Sequence, residues 1–155
     1  MKKNHFFFKK NNLYSDIKIL EKLVSELTKP IVFTNGVFDI LHVGHIRCLE
    51  RSKNFGNSLI VAINSNLSVK KLEKGEKRPI IDELDRAEII SSLKSVDLCI
   101  LFDHETPEAL IKKIKPDIYT KGSDYNKDNI SYANTLKQLK IKTYFIPLIN
   151  NKSST

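Results

Sequence analysis

The run Phe33-Thr34-Asn35-Gly36-Val37-Phe38-Asp39-Ile40-Leu41-His42-Val43-Gly44-His45 follows directly on the apolar pair Ile31-Val32. The pattern is that of a short strand entering a Gly-containing turn, which delivers His42 and His45 to the start of a helix. A helix N-terminus presents unbonded backbone N–H groups and a partial positive charge, so it is an anion site. Two imidazoles placed there can donate hydrogen bonds to phosphate oxygens. Gly44, between them, has no side chain to hold a phosphate off the backbone. The chemistry implied is attack on a nucleoside triphosphate, with the histidines stabilising charge on its phosphates.

Outward from this run the chain alternates in type. Ser15–Leu27 has apolar residues at helical spacing (Ile17, Leu20, Leu23, Val24, Leu27), with Ser15 or Asp16 as N-cap. Pro30 opens the strand Ile31–Thr34. The helix after the turn runs from about His45 to Asn54, with Gly56 as its stop signal. Ser58–Asn64 is continuously apolar in its middle, as a strand buried on both faces is. Lys70–Pro79 reads as a basic loop. Asp82–Ser95 reads as a helix with Leu84, Ala87, Ile90 and Leu93 facing inward. Leu98–Phe102 is a second buried strand. Thr106-Pro107-Glu108 begins a helix with Pro at its first position. Asp117–Thr120 is a strand ending in Lys121-Gly122-Ser123-Asp124-Tyr125. A weaker helix covers Tyr132–Leu139, and Thr143–Pro147 is the last strand.

Strand and helix in alternation predict an α/β fold built on a doubly wound parallel sheet. Ligands of such sheets bind outside the carboxyl ends of the strands. Thr34–His45, Asn64–Lys74 and Lys121–Asp124 all follow strands and so fall at that edge. The expected organisation is an N-terminal extension over residues 1–14 and a single domain over 15–155. The Phe6–Phe8 run can pack on the core or on a partner subunit, and its sequence does not choose between them.

Composition narrows the function classes. The 155 residues suffice for one domain with a real core. No apolar run reaches the ~20 residues that span a bilayer. Lys9-Lys10-Asn11-Asn12 interrupt the N-terminal aromatics too early for a signal peptide. Cys48 and Cys99 are the only cysteines and fall on a helix and an apolar strand, as small buried hydrophobes of a reducing compartment do. The expectation is a cytoplasmic protein without a membrane partner.

The net charge of +8 comes almost wholly from dispersed Lys, with Arg only at 47, 51, 78 and 86. No Arg/aromatic cluster of a nucleic-acid reader is present. A nucleic-acid partner is therefore not expected; were there one, affinity would fall steeply with salt. Zinc on the paired histidines lacks a third ligand of suitable spacing, so no metal site made by the protein is expected.

These residues resemble a known family, the H-x-G-H cytidylyltransferase-like nucleotidyltransferases. Within it the chain is most similar to the D-glycero-β-D-manno-heptose 1-phosphate adenylyltransferases. The blocks that carry the likeness are TNGVFDILHVGH, LIVAINSNLSVKKLEKG, RPIIDELDRAEII, FDHETPEALIKKIKPDIYTKGSDY, and IPL with a terminal SST. They run from about Ser15 to the C-terminus. The resemblance implies a Rossmann-like nucleotidyltransferase fold. The reaction implied joins ATP and heptose 1-phosphate into ADP-heptose and pyrophosphate, by in-line attack of the sugar phosphate on the α-phosphorus. Mg²⁺ is expected to arrive with ATP. A homodimer is expected, with a separate kinase supplying the sugar phosphate.

Residue roles carry over from the resemblance alone. His42 and His45 match the motif histidines that stabilise the transition state. Lys70 matches a loop lysine that contacts the attacking phosphate or the α-phosphate, and Arg86 an arginine near the phosphates. Thr34, Asn35, Gly36, Phe38 and Gly44 form the phosphate-approaching turn. Lys121, Gly122 and Asp124 match the nucleotide-side loop, and Ser153, Ser154 and Thr155 a hydroxyl-rich segment on the β- and γ-phosphates. Asp39, Asn66 and Lys74 are candidates for the acceptor side. Asn66 stands where the subfamily usually has Asp. The plainer alternatives are a solvated lysine loop, an Arg86 paired with Glu83 or Asp82 on its own helix, and a turn-capping Asp124.

Two other functions fit the same motif. One is a cytidylyltransferase acting on glycerol 3-phosphate or a related alcohol phosphate. Its loop wording differs from Lys121-Gly122-Ser123-Asp124-Tyr125. The other is a non-catalytic nucleotide-binding protein, an expectation resting on the chain's end at Thr155, where the resembled family continues into a final helix.

Overall fold

A computed structural model of the chain describes residues 6–10, 12–72 and 75–147. In chain order the elements are β1 (Phe7–Lys9), β2 (Asn12–Tyr14), α1 (Ile17–Glu26), β3 (Ile31–Gly36), α2 (Val43–Lys53), β4 (Ser58–Asn64) and α3 (Asn66–Lys71). Then come α4 (Glu83–Ser91), β5 (Leu98–Phe102), α5 (Glu108–Ile114), β6 (Ile118–Gly122), a 3-10 turn (Lys127–Asn129), α6 (Ala133–Gln138) and β7 (Lys142–Ile146). The strands form one sheet in the order β2-β1-β5-β4-β3-β6-β7. From β5 to β7 every pairing is parallel, so the doubly wound α/β expectation holds for the body of the sheet.

Side chains alternate across the strands into two cores. Ile31, Phe33, Ile60 and Ala62 pack with Leu20 of α1, Leu110 of α5 and Leu136 of α6. Val32, Leu59, Val61 and Ile63 pack with Leu49 of α2 and with Ala87 and Ile90 of α4. This is the period-2 division that helices on both faces of a sheet require. Asp16 caps α1, accepting the Lys18 N–H at 2.9 Å, and the helix's apolar stripe covers the first core.

Three expectations are revised, and the packing of the Phe run is decided. β1 and β2 pair antiparallel and extend the sheet, with β1 antiparallel to β5 in the register Phe7↔Ile100 and Phe8↔Cys99. Phe7 is buried in the first core and Phe8 in the second, so these aromatics belong to this domain's own core. The segment read as a basic loop begins with α3, whose helicity rests on polar anchors. Ser65 accepts the Ser68 N–H at 3.2 Å, and Ser68 Oγ donates to the His104 carbonyl at 2.6 Å. Leu84 of α4 is exposed, because Arg86 takes the inward stripe with Ala87, Ile90 and Ser91. Pro107 precedes α5 as its N-cap.

The order β5-β4-β3-β6-β7 reverses direction between β3 and β6, which is the switch point where ligands of such sheets bind. The two strands pair only from Val32↔Ile118 to Thr34↔Thr120. Beyond that β3 stays with β4 to Gly36↔Ile63 and β6 stays with β7 to Gly122↔Ile146. The sheet thus splits at its carboxyl edge.

Candidate active site

The motif turn ends on α2, and its two histidines cap that helix. His42 is the N-cap residue, and its Nδ1 accepts the Gly44 N–H at 3.1 Å. His45 reaches back so that its Nδ1 accepts the His42 N–H at 3.3 Å. This is the reciprocal arrangement of a capping box, made here by imidazoles. The rings stack with centroids 3.8 Å apart. A nitrogen that accepts an N–H carries no proton, so in both rings the proton is on Nε2. Burial, and then repulsion from His42, pushes His45 down to about 4. The Gly44 N–H, expected to face a phosphate, is taken up by His42 instead.

The turn between strand and helix is shaped around His45. Phe38 has a left-handed backbone, φ 51°, and its ring meets His45 edge-on at 5.3 Å. A Cβ on Gly36 would lie 2.8 Å from Phe38 Cε2, so a glycine lets the ring fold back over the turn. Asp39 is buried beneath and grips the segment that leads into α4. Its carboxylate accepts from Arg78 at 2.8 Å, from Ile80 N–H at 2.9 and 3.0 Å, and from Ile81 N–H at 2.9 Å. Burial alone would raise its pKa; the Ile81 N–H, Arg78 and Ile80 N–H outweigh it and hold the carboxyl below its usual range. Asp39 is thus bonded within the fold, where it clamps the motif turn to the 78–81 segment.

Arg86 differs most from expectation. It is 1% exposed, and its guanidinium donates to the carbonyls of Ile81 (2.9 Å), Val37 (2.8 Å) and Asn64 (2.7 Å) and to Asn66 Oδ1 (3.0 Å). It joins the motif turn, the end of β4 and the starts of α3 and α4, and neither Glu83 nor Asp82 is the partner of these bonds. Asn66 completes the join, its Nδ2 donating to Asp82 at 2.8 Å. An amide suits this place between a guanidinium and a carboxylate, since it accepts from one and donates to the other.

Across the split in the sheet lies a crevice of about 380 Å³, with Asn35, Asn64, Thr106, Lys121, Tyr125 and Tyr132 among its walls. Lys121 Nζ donates to the Asn35 carbonyl at 2.9 Å and lies 4.7 Å over the Tyr125 ring. Tyr119 Oη donates to Asn35 Oδ1 at 2.6 Å and is also hydrogen-bonded to the Tyr132 hydroxyl. Thr34 is turned away from the crevice; its hydroxyl donates to the Thr120 carbonyl at 2.8 Å and pins β3 to β6. Gly122 ends β6 and accepts the Tyr125 N–H at 3.0 Å, with Asp124 exposed in that turn. Lys121 and Asp124 lie close enough to Cys48 of α2 to act on its thiol, which burial pushes up. The loop after β6 and the histidine helix therefore flank one another.

Lys70 is exposed on the last turn of α3, and neighbouring Lys71 reaches the Asp103 carbonyl at 3.4 Å. Lys74, Ser153, Ser154 and Thr155 lie outside the described residues. Among the described residues no three His, Cys, Asp or Glu are grouped to hold a metal ion, and no helix is long and apolar enough to cross a membrane. The sequence reading passed over Arg78, Tyr119 and Tyr132. The tyrosines read as core residues of a strand and a helix start; only a buried hydroxyl's need for a partner marks them.

The site therefore offers two N–H donors on stacked neutral rings at a helix N-terminus, beside a crevice holding a lysine. That set can stabilise charge developing on phosphate oxygens without forming a covalent intermediate. The cytidylyltransferase-like family model matches residues 33–155. The chain is 44% identical over 152 residues to the bifunctional protein HldE of Aliarcobacter butzleri, covering 94% of this chain and 31% of that protein. It is 42% identical over 142 residues to HldE of a Nitratiruptor species, covering 92% and 30%. It thus spans just under a third of the length of these curated relatives. Among solved structures, the lipopolysaccharide core biosynthesis protein from Thermoplasma volcanium is 34% identical with a TM-score of 0.64, covering 79% of this chain and 98% of that one. Pantothenate synthetase from Thermus thermophilus shares the fold, with a TM-score of 0.58 at 14% identity, covering 85% of this chain and 61% of that one.

Proposed function

The chain belongs to the cytidylyltransferase-like family and is a nucleotidyltransferase, and we propose that it transfers AMP from ATP to D-glycero-β-D-manno-heptose 1-phosphate, giving ADP-heptose and pyrophosphate. The observation that carries the reading is the histidine pair. Both Nδ1 atoms are occupied by backbone N–H groups, so both Nε2–H groups are donors available to the triphosphate. In-line displacement puts nucleophile and leaving group on opposite sides of the phosphorus. With the triphosphate on α2, which packs on one face of the sheet, the acceptor approaches from the crevice. That crevice opens toward the start of α5 and the residue before α6, both on the other face.

In this reading Lys121, Gly122 and Asp124 serve the nucleotide side, with Asn35, Gly36 and Phe38 shaping the turn against it. Lys70, and Lys74 beyond the described residues, serve the incoming phosphate. Arg86, Asp39 and Asn66 hold the frame in which these groups stand. Mg²⁺ bound with the triphosphate would supply further charge neutralisation and keep much of its water. The enzyme works in the cytoplasm as a homodimer, and a kinase activity supplies the sugar phosphate. The names of the HldE relatives and of the lipopolysaccharide core biosynthesis protein support this pathway.

The test is pyrophosphate release with heptose 1-phosphate and Mg²⁺, offering ATP, CTP and GTP separately, with His45→Ala as control. Release with ATP alone, lost in the variant, is the expected result. Release with CTP and glycerol 3-phosphate instead would replace the reading with the cytidylyltransferase one. Tight nucleotide binding with no release from any pair would make the chain a nucleotide-binding protein.

A further inference from the structure

Three side chains at the split in the sheet form a hydrogen-bond relay, and the reaction above uses neither of its two tyrosines. Tyr119 is fully buried in β6, opposite Phe33 in the ladder. Its single hydroxyl proton goes to Asn35 Oδ1. In its contact with Tyr132, Tyr119 must therefore accept, and Tyr132 donates. Burial pushes the Tyr132 phenol up to about 12, so it holds its proton and can donate it. The bond from Tyr119 fixes Oδ1 of Asn35 toward β6, and the carboxamide cannot turn over without losing that acceptor.

This relay leaves a donor and an acceptor at its ends. The Asn35 amide nitrogen carries N–H bonds, and the Tyr132 oxygen, whose proton goes to Tyr119, keeps lone pairs. Asn35 and Tyr132 both line the crevice, whereas Tyr119 lies behind them. The wall there carries a donor beside an acceptor. A phosphate offers only acceptors; a carbohydrate hydroxyl is both donor and acceptor and fits such a pair.

We propose that the Asn35–Tyr119–Tyr132 relay is a specificity element that reads a hydroxyl of the acceptor substrate, with Tyr119 and Tyr132 as positioning residues for the Asn35 carboxamide. The proposal rests on the reading of the acceptor as a polyhydroxylated sugar phosphate, and it gives that acceptor its polar contact away from the phosphate. Asn35 is thereby moved from the triphosphate to the sugar.

The experiment uses the full chain labelled with ¹⁵N. The side-chain NH₂ signals of Asn35 are identified by their loss in Asn35→Asp. Heptose 1-phosphate is expected to shift them, and inorganic phosphate at the same concentration to leave them in place. Tyr132→Phe, at the crevice wall, is expected to weaken heptose 1-phosphate binding about tenfold while ATP binding changes less than twofold. Tyr119→Phe is expected to do the same where it folds. Equal shifts with inorganic phosphate, no shift with the sugar phosphate, or an unchanged affinity in Tyr132→Phe would each overturn the proposal. Sugar phosphate binding as expected, with no pyrophosphate released from ATP, would sink the adenylyltransferase reading and leave the relay's role standing. Turnover with an unaltered acceptor KM in Tyr132→Phe would do the reverse.

Discussion

The imidazole of His45 turns back to accept the backbone N–H of His42 and stacks on that residue's own ring, 3.8 Å away. The two histidines therefore cap the helix with the same side chains that the proposed function gives to the triphosphate. In that reading stability and catalysis are coupled at this point, and suitable substitutions separate them.

Asparagine is among the best N-cap residues, but it has nothing at the position of Nε2. His42→Asn is expected to keep the melting temperature within a degree or two of wild type while kcat falls about 100-fold, the usual cost of one donor to a transition-state oxyanion. His42→Ala should lose the same activity and a further ~1 kcal/mol of stability. Thermal melts beside pyrophosphate-release kinetics make the comparison.

His45 titrates near 6.5 when unfolded and near about 4 when folded. Between these values the unfolded chain binds more protons, so stability rises with pH there. The contribution is fully present above pH 6.5 and is lost as pH falls toward 4. Glutamine at this position preserves the capping box but does not titrate. Urea midpoints at pH 7.0, 5.5 and 4.5 are expected to fall more steeply for wild type than for His45→Gln. Parallel curves would show that the ring is not held neutral by the fold.

Gly36→Ala puts a methyl group 2.8 Å from the Phe38 ring edge. A side chain is the obstacle, so the ring swings aside and stability changes by less than about 1 kcal/mol. The edge contact to His45 is lost with it. Activity is expected to drop about tenfold, mainly in kcat, because the displaced ring lets His45 leave its geometry.

Arg86→Met retains much of the side chain's bulk and strands three carbonyl acceptors that were bonded in the interior. At ~1–3 kcal/mol for each buried group left without a partner, a total loss of ~3 kcal/mol or more is expected in urea unfolding. Arg86→Lys keeps the charge but lacks the fork that reaches separate carbonyls, and should recover only part of it.

The strands and the two-faced winding were legible because apolar runs such as Leu59–Ile63 and Leu98–Phe102 have few other interpretations. The histidine pair was legible from its spacing after a strand. What escaped was set by contacts distant in sequence. Arg86 lies on a helix whose acidic neighbours advertise local pairing, yet its acceptors come from residues 37, 64, 66 and 81. Asp39 is silent until the 78–81 segment folds over it. The hairpin at Phe7–Tyr14 is too short for periodicity to register. Tyr119 looks like any apolar strand residue until β3 brings Asn35 beside its hydroxyl.

Where β3 and β6 part company, the gap is crossed by Lys121, whose amine holds the Asn35 carbonyl in place of a ladder rung. A backbone rung is surrendered only by moving a strand. A lysine lets go by rotating four side-chain bonds. The seam between the two halves of the sheet is thus fastened by something like a latch, which opens without moving a strand.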